Sequence, residues 1–136
     1  MASDPTITPI STDRLPPPAG HYSQAVRAGQ TLYILGQLPI GADGAPLTNA
    51  GFDEQARQAL VNMLAILDAA GGAPQQLARV TVYIVGVANW PAFNAVYAKL
   101  LGNVRPARTV VPVPELHHGV LVEVDAIAFL PADTVA

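Results

Sequence analysis

The chain has 136 residues, half of them hydrophobic and only 12% charged, which is enough for one real core but leaves a surface poor in charge beside the roughly 25% of ordinary soluble domains. A net charge of -3 with no cluster of Lys and Arg argues against a nucleic-acid binder, and the absence of cysteine excludes disulfides, a thiolate nucleophile and cysteine-held metals. So apolar a surface is most simply explained by burial against another subunit.

Residues 1–18 carry acids at Asp4 and Asp13 and end in Pro16-Pro17-Pro18. They lack the basic start and apolar run of a targeting segment, and their prolines withhold donors that a central strand needs, so they read as an extended arm. No apolar stretch approaches the ~20 residues of a membrane helix, and a soluble, cytoplasmic protein is expected. Residues 21–26 and 30–35 are strand-like runs joined by Arg27-Ala28-Gly29, an antiparallel hairpin. Residues 39–49, with Gly41, Asp43-Gly44 and Pro46, form a loop.

From Phe52 the apolar residues Phe52, Ala56, Ala59, Leu60, Met63, Leu64 and Leu67 recur at helical spacing, with Asp53 and Glu54 at the positive end of the dipole and Gly71-Gly72 as the stop. Residues 79–85 alternate as a strand. Asn89 is placed to cap a second helix, with Pro91 in its first turn and Phe93, Val96, Tyr97, Leu100 and Leu101 on its buried stripe before Gly102. Residues 108–113 and 120–130 are the last strands, and Pro112 puts the first of them at an edge or a bend. This order predicts an α+β fold: a mixed sheet with both helices on one face, and a partner subunit covering the other. The expected layout is an arm over 1–18, one domain over 19–131 and a tail over 132–136.

Few residues carry chemistry. The histidines, His21, His117 and His118, lack helical pairing and acidic neighbours, so no metal site is expected, and the His117-His118 pair reads as an exposed turn. There is no nucleophile elbow, Walker loop or dinucleotide fingerprint. What remains is Arg108 at the entry to a strand and Glu123 and Asp125 among β-branched neighbours. Arg108 can hold a carboxylate through its planar fork, or it can form a structural salt bridge to Glu123 or Asp125; the pattern leaves both open. Glu123 is either at an exposed edge or half-buried with a perturbed pKa, and Asp125 reads as a solvated acid near a strand end.

Seven blocks taken in order resemble the RidA/YjgF family, long labelled L-PSP endoribonucleases. They are Gly20-His21-Tyr22-Ser23-Gln24-Ala25-Val26, Gly36-Gln37-Leu38-Pro39, Gln55-Ala56-Arg57-Gln58-Ala59-Leu60, Val80-Thr81-Val82-Tyr83, Phe93-Asn94-Ala95-Val96-Tyr97, Pro106-Ala107-Arg108 and Val122-Glu123-Val124-Asp125-Ala126-Ile127-Ala128. The resemblance implies a chorismate-mutase-like homotrimer with sites between subunits. It implies cofactor-free hydrolysis of small imines and enamines, such as 2-aminoacrylate, 2-iminopropanoate or 2-iminobutanoate, to 2-oxo acids and ammonia, a metabolite damage control activity in the cytoplasm. Arg108 matches the family's carboxylate-binding arginine and Glu123 the acid that activates water. Tyr22, Gly36, Asn94 and the Val110 backbone match residues around the ligand. Leu35 departs from the family, where a serine is common before Gly-Gln, and Val110 stands where many members have cysteine. The lost hydroxyl and the added bulk point to a more apolar or differently oriented substrate, or to a non-catalytic trimer that binds a small carboxylic acid as a sensor.

Overall fold

The computed structural model describes residues 6–132; the first part of the arm, with Asp4, and nearly all of the expected tail lie outside the described residues. Six strands and two helices follow one another as β1 (Ile7–Ile10), β2 (Ala25–Ala28), β3 (Thr31–Gln37), α1 (Phe52–Ala69), β4 (Leu77–Val85), α2 (Trp90–Leu101), β5 (Ala107–Val113) and β6 (Val122–Phe129). The strand order across the single sheet is β1-β2-β3-β6-β4-β5. Every neighbouring pair is antiparallel except β4 and β5, which run parallel because α2 carries the chain back between them. The sheet is therefore mixed, and β5, with Pro112, is an edge strand as its proline requires.

Three boundaries differ from the sequence reading. The arm contains a strand, β1, which pairs only with β2 and can carry Pro9 because one of its sides is free. The hairpin turn is Gly29-Gln30 rather than residues 27–29: Arg27 and Ala28 pair with Leu32 and Thr31, and Gly29 takes the positive φ, +62°, that a two-residue turn demands. His21 and Tyr22 precede β2 instead of lying in it. Asn89 sits at the boundary of α2, but its side chain caps nothing in the helix; its Nδ2 donates to the Val85 carbonyl at 2.9 Å and closes the end of β4.

Both helices cover the same face of the sheet. Leu60, Met63, Ile66 and Leu67 of α1 and Phe93, Tyr97 and Leu101 of α2 join Leu32, Ile34, Val80, Val82, Ile84, Val122 and Val124 in one buried cluster. The opposite face is bare in the single chain. Ile7, Tyr33 and Phe129 stand on it, each about half exposed or more. No helix is long and apolar enough to cross a membrane among the described residues.

Two buried amides tie α1 to the strands that carry the site. Gln55, fully buried, donates to the Ala50 carbonyl and accepts from the Leu121 amide at 2.8 Å, so the first turn of α1 holds the approach to β6. Asn62 donates to the carbonyls of Leu38 and Ile40 and accepts from Gln58, fixing the loop that leaves β3. Each satisfies backbone groups that no ladder reaches. Gln55→Leu keeps the volume and strands both a buried N–H and a buried carbonyl, so it is expected to lower stability by about 2–4 kcal/mol, read as a lower urea midpoint at unchanged slope.

Candidate functional site

Alternation along β6 decides where its acids point. Val122, Val124, Ala126 and Ala128 are buried against the helices, so Glu123, Asp125 and Ile127 stand on the bare face. Glu123 is half-buried there. Burial raises its carboxyl above the ordinary carboxylate range, Asp125 adds repulsion, and His117 pulls more weakly in the opposite direction. Asp125 is not a solvated end-of-strand acid: it lies mid-strand and accepts a 3.0 Å hydrogen bond from the Tyr83 hydroxyl.

Glu123 owes its position to a bulge in β3. Ile34 pairs with Ala126 and Gln37 with Val124, so Leu35 and Gly36 together oppose Asp125 alone. A Cβ on Gly36 would fall 3.2 Å from Glu123 Cδ and closer still to its Oε2. The glycine thus lets the carboxylate lie against the β3 backbone, where a side chain would push it away. Beside the bulge opens a cleft of about 320 Å³, lined by Tyr22, Leu35, Gly36, His118 and the prolines of the arm. His117 and His118 are both exposed, as their reading as a turn requires, with ring centroids 3.8 Å apart. His118 nonetheless reaches the cleft from an unusual backbone conformation, φ +62°, which Thr48 supports by donating to its carbonyl.

The arginine sits elsewhere. Arg108, on β5, pairs with Val80 on β4, and Val80 is buried toward the helices, so Arg108 turns to that side. Its Cζ lies 5.0 Å from the Tyr97 ring centroid and 5.8 Å from that of Phe93, a cation over the aromatic faces of α2. The structural salt bridge drops out: Glu123 and Asp125 are on the other face, and Arg108 has no ion pair among the described residues. Asn94 is exposed on α2 next to Phe93, and Val110 is half-buried two residues beyond Arg108.

The expected site residues thus fall into two groups. Tyr22, Leu35, Gly36 and Glu123 gather at the bulge; Asn94, Arg108 and Val110 gather at the β5 edge. Val80 pairs with both Arg108 and Ala126, and Glu123 lies three residues from Ala126 across one intervening strand. Strand spacing and rise put the two Cα atoms about 14 Å apart, with their side chains on opposite faces. One chain does not bring them together.

Two roles escape the sequence reading. Tyr97 lies on the buried stripe of α2, as its spacing predicts, but its hydroxyl is buried beside Arg108 with no hydrogen-bond partner among the described residues; burial raises its pKa and Arg108 pulls it back. Gln24 looks like an ordinary polar strand residue. It is buried, and it clamps the arm by accepting from the Thr12 amide and donating to the carbonyls of Thr12 and Pro16. Only the tertiary neighbours give either its role.

Because the folded Glu123 carboxyl holds its proton to higher pH than an unfolded one, the folded state binds more protons between the two pKa values, and stability falls as pH rises through that window. Glu123→Gln is therefore expected to stabilise the fold at neutral pH and to lose that advantage below the ordinary carboxylate range, as checked by melting temperatures across pH.

Residues 12–130 match the family model described as Endoribonuclease L-PSP. The chain is 41% identical over 120 residues to a RutC family protein of Pyrococcus horikoshii, covering 88% of this chain and 95% of that one. It is 33% identical over 121 residues to a 2-iminobutanoate/2-iminopropanoate deaminase of Dermatophagoides farinae, covering 89% and 94%. Among solved structures, E. coli TdcF with bound serine is similar at a TM-score of 0.85 and 32% identity, over 91% of this chain and 99% of that one. The matched span holds both helices and five of the six strands, and on that basis the chain belongs to the RidA/YjgF family.

Proposed function

We propose that this protein is a cofactor-free deaminase that hydrolyses 2-imino and enamine acids, of the 2-aminoacrylate, 2-iminopropanoate or 2-iminobutanoate type, to 2-oxo acids and ammonia. The observation that carries this reading is the division of the site into two halves that a single chain holds apart. One half offers a fork of donors for a carboxylate, and the other a carboxyl with a raised pKa. A second copy of the chain, set against the bare face, brings the β5 edge of one subunit to the bulge of the next. In this reading the assembly is the closed homotrimer that the family resemblance implies, which repeats one such contact around an axis and covers Ile7, Tyr33 and Phe129.

In such a site Arg108 holds the substrate carboxylate and orients the imine carbon toward Glu123. On the protonated imine, the Glu123 carboxylate takes a proton from water as the water oxygen bonds to that carbon, and the C=N electron pair moves to nitrogen, giving a neutral carbinolamine. Glu123 returns that proton to the nitrogen, the C–N bond breaks, and the hydroxyl proton passes to the departing ammonia, leaving the 2-oxo acid. A carboxylate with a raised pKa is the stronger base for this exchange. The deaminase name of one relative and the serine bound to another support a small amino-acid-derived ligand. Leu35 favours a second reading, a trimer that binds such an acid without turning it over.

Imine decay separates the two. With 2-iminobutanoate generated in situ and trapped with semicarbazide, the wild type is expected to speed the loss of imine. Arg108→Ala should lower kcat/KM about a hundredfold through KM, and Glu123→Gln should lower kcat about a hundredfold or more while 2-oxo acid binding persists. No acceleration, with 2-oxo acid binding that Arg108→Ala abolishes, would establish the binding protein instead. Mixing unfolded Arg108→Ala and Glu123→Gln chains and refolding them together should restore activity to about a quarter of the sites, whereas a site within one chain would restore none.

A further inference from the structure

The cleft beside the bulge is larger and more apolar than the smallest imino acids require. We infer that the substrate of this site carries a bulky apolar side chain, of leucine, methionine or phenylalanine size, seated between Leu35 and the proline arm. This rests on the deaminase reading above and adds the substrate class to it.

The walls of the cleft are apolar by composition and by the way their polar groups are engaged. Leu15, Leu35, Leu38, Ile40 and Pro16-Pro17-Pro18 supply hydrocarbon. Five polar side chains also line it, and four of them make hydrogen bonds within the walls. Gln24 bonds the arm, Gln37 donates to the Leu35 carbonyl, and Asn62 donates to the Leu38 and Ile40 carbonyls. The Tyr22 hydroxyl accepts from the Ala19 amide at 3.2 Å. These bonds hold the walls together. His118, the fifth, is exposed at the rim with its ring against His117.

The cleft also adjoins the reacting position. Gly36 is one of its lining residues and is the residue against which the Glu123 carboxylate lies. A substrate whose imine carbon faces Glu123 has its side chain directed past Gly36 into this space. A methyl or ethyl group would leave most of about 320 Å³ to water, at the small end of sites that hold whole ligands. Each further methylene buried there is worth roughly fourfold in binding. Leu35, in the place where relatives commonly carry a hydroxyl, is one wall of this pocket.

The opposite wall is held by a positioning residue. Gln24 fixes Thr12 and Pro16 from a buried position, and Leu15 beside them is itself buried, so the prolines stand at a set distance from Leu35. Arg14 secures the same segment to α1 through the Ala65 carbonyl and Asp68. The arm therefore acts as part of the body, and its placement sets the width of the pocket.

The test compares imines generated in situ by an amino-acid oxidase from leucine, methionine and 2-aminobutyrate, followed by semicarbazide trapping. The expected result is a kcat/KM for the leucine and methionine imines about tenfold or more above that for the 2-aminobutyrate imine, carried by KM. Gln24→Ala, and Pro17→Gly at an exposed position that spares the core, should each raise KM for the leucine imine several-fold more than for the 2-aminobutyrate imine. A preference for the small imine, or variants that lower all three substrates equally, would overturn the inference. If no imine is hydrolysed, the deaminase reading fails separately. Calorimetry with 4-methyl-2-oxopentanoate and 2-oxobutanoate then decides the pocket alone: tighter binding of the branched acid supports it, and equal or weaker binding removes it.

Discussion

Two helices lie against a six-stranded sheet, and both lie on the same side. Strand alternation then assigns every second residue either to the packed core or to a face that the chain leaves open. This constraint places Glu123 on the bare face and Arg108 among the aromatic rings of α2. It also strands apolar groups such as Phe129 and Tyr33 in contact with water in the single chain. In the proposed trimer the chemistry and the assembly are one problem, because the surface that needs covering is also the one that would receive a second half-site.

Within that frame the bulge at Leu35-Gly36 performs the local work. An extra residue in β3 breaks the pairing with β6 opposite Asp125, and a glycine at that point admits the Glu123 carboxylate to the backbone. The acid is thereby half-buried and close to Asp125, the two causes that raise its pKa. Neighbouring amides serve the same end at longer range. Gln55 holds the start of β6, Asn62 holds the exit of β3, and Gln24 holds the arm; the last two also line the cleft.

Membership of the RidA/YjgF family establishes the frame but not the substrate. Relatives that share this fold carry different names. Leu35 lines the cleft, while Arg108 and Glu123 are not among its lining residues. In the proposed reaction specificity and chemistry therefore fall to separate residues, with the side-chain pocket built from β3 and the arm, and the reacting groups from β5 and β6.

The sequence by itself determined the element types. Helical spacing from Phe52, alternation over residues 79–85 and 120–130, and the stops at Gly71 and Gly102 follow from local periodicity, which survives whatever packs against it. Pro112 marked an edge or a bend for a reason that needs no tertiary information, the missing N–H, and the fold makes it an edge. Sequence also singled out Arg108 and Glu123, since charged residues are rare in this chain and these stand among apolar neighbours. Only the tertiary structure decided which faces they occupy relative to each other, because that depends on strand order and on which side the helices choose. It alone revealed β1 in the proline-containing arm, whose pairing comes from β2 and not from its own residues. It alone separated Glu123 from its other possible state, since burial is a property of neighbours. And it alone showed Gln24 and Tyr97 at work, because a buried hydrogen bond, or the lack of one, is set by groups distant in the chain.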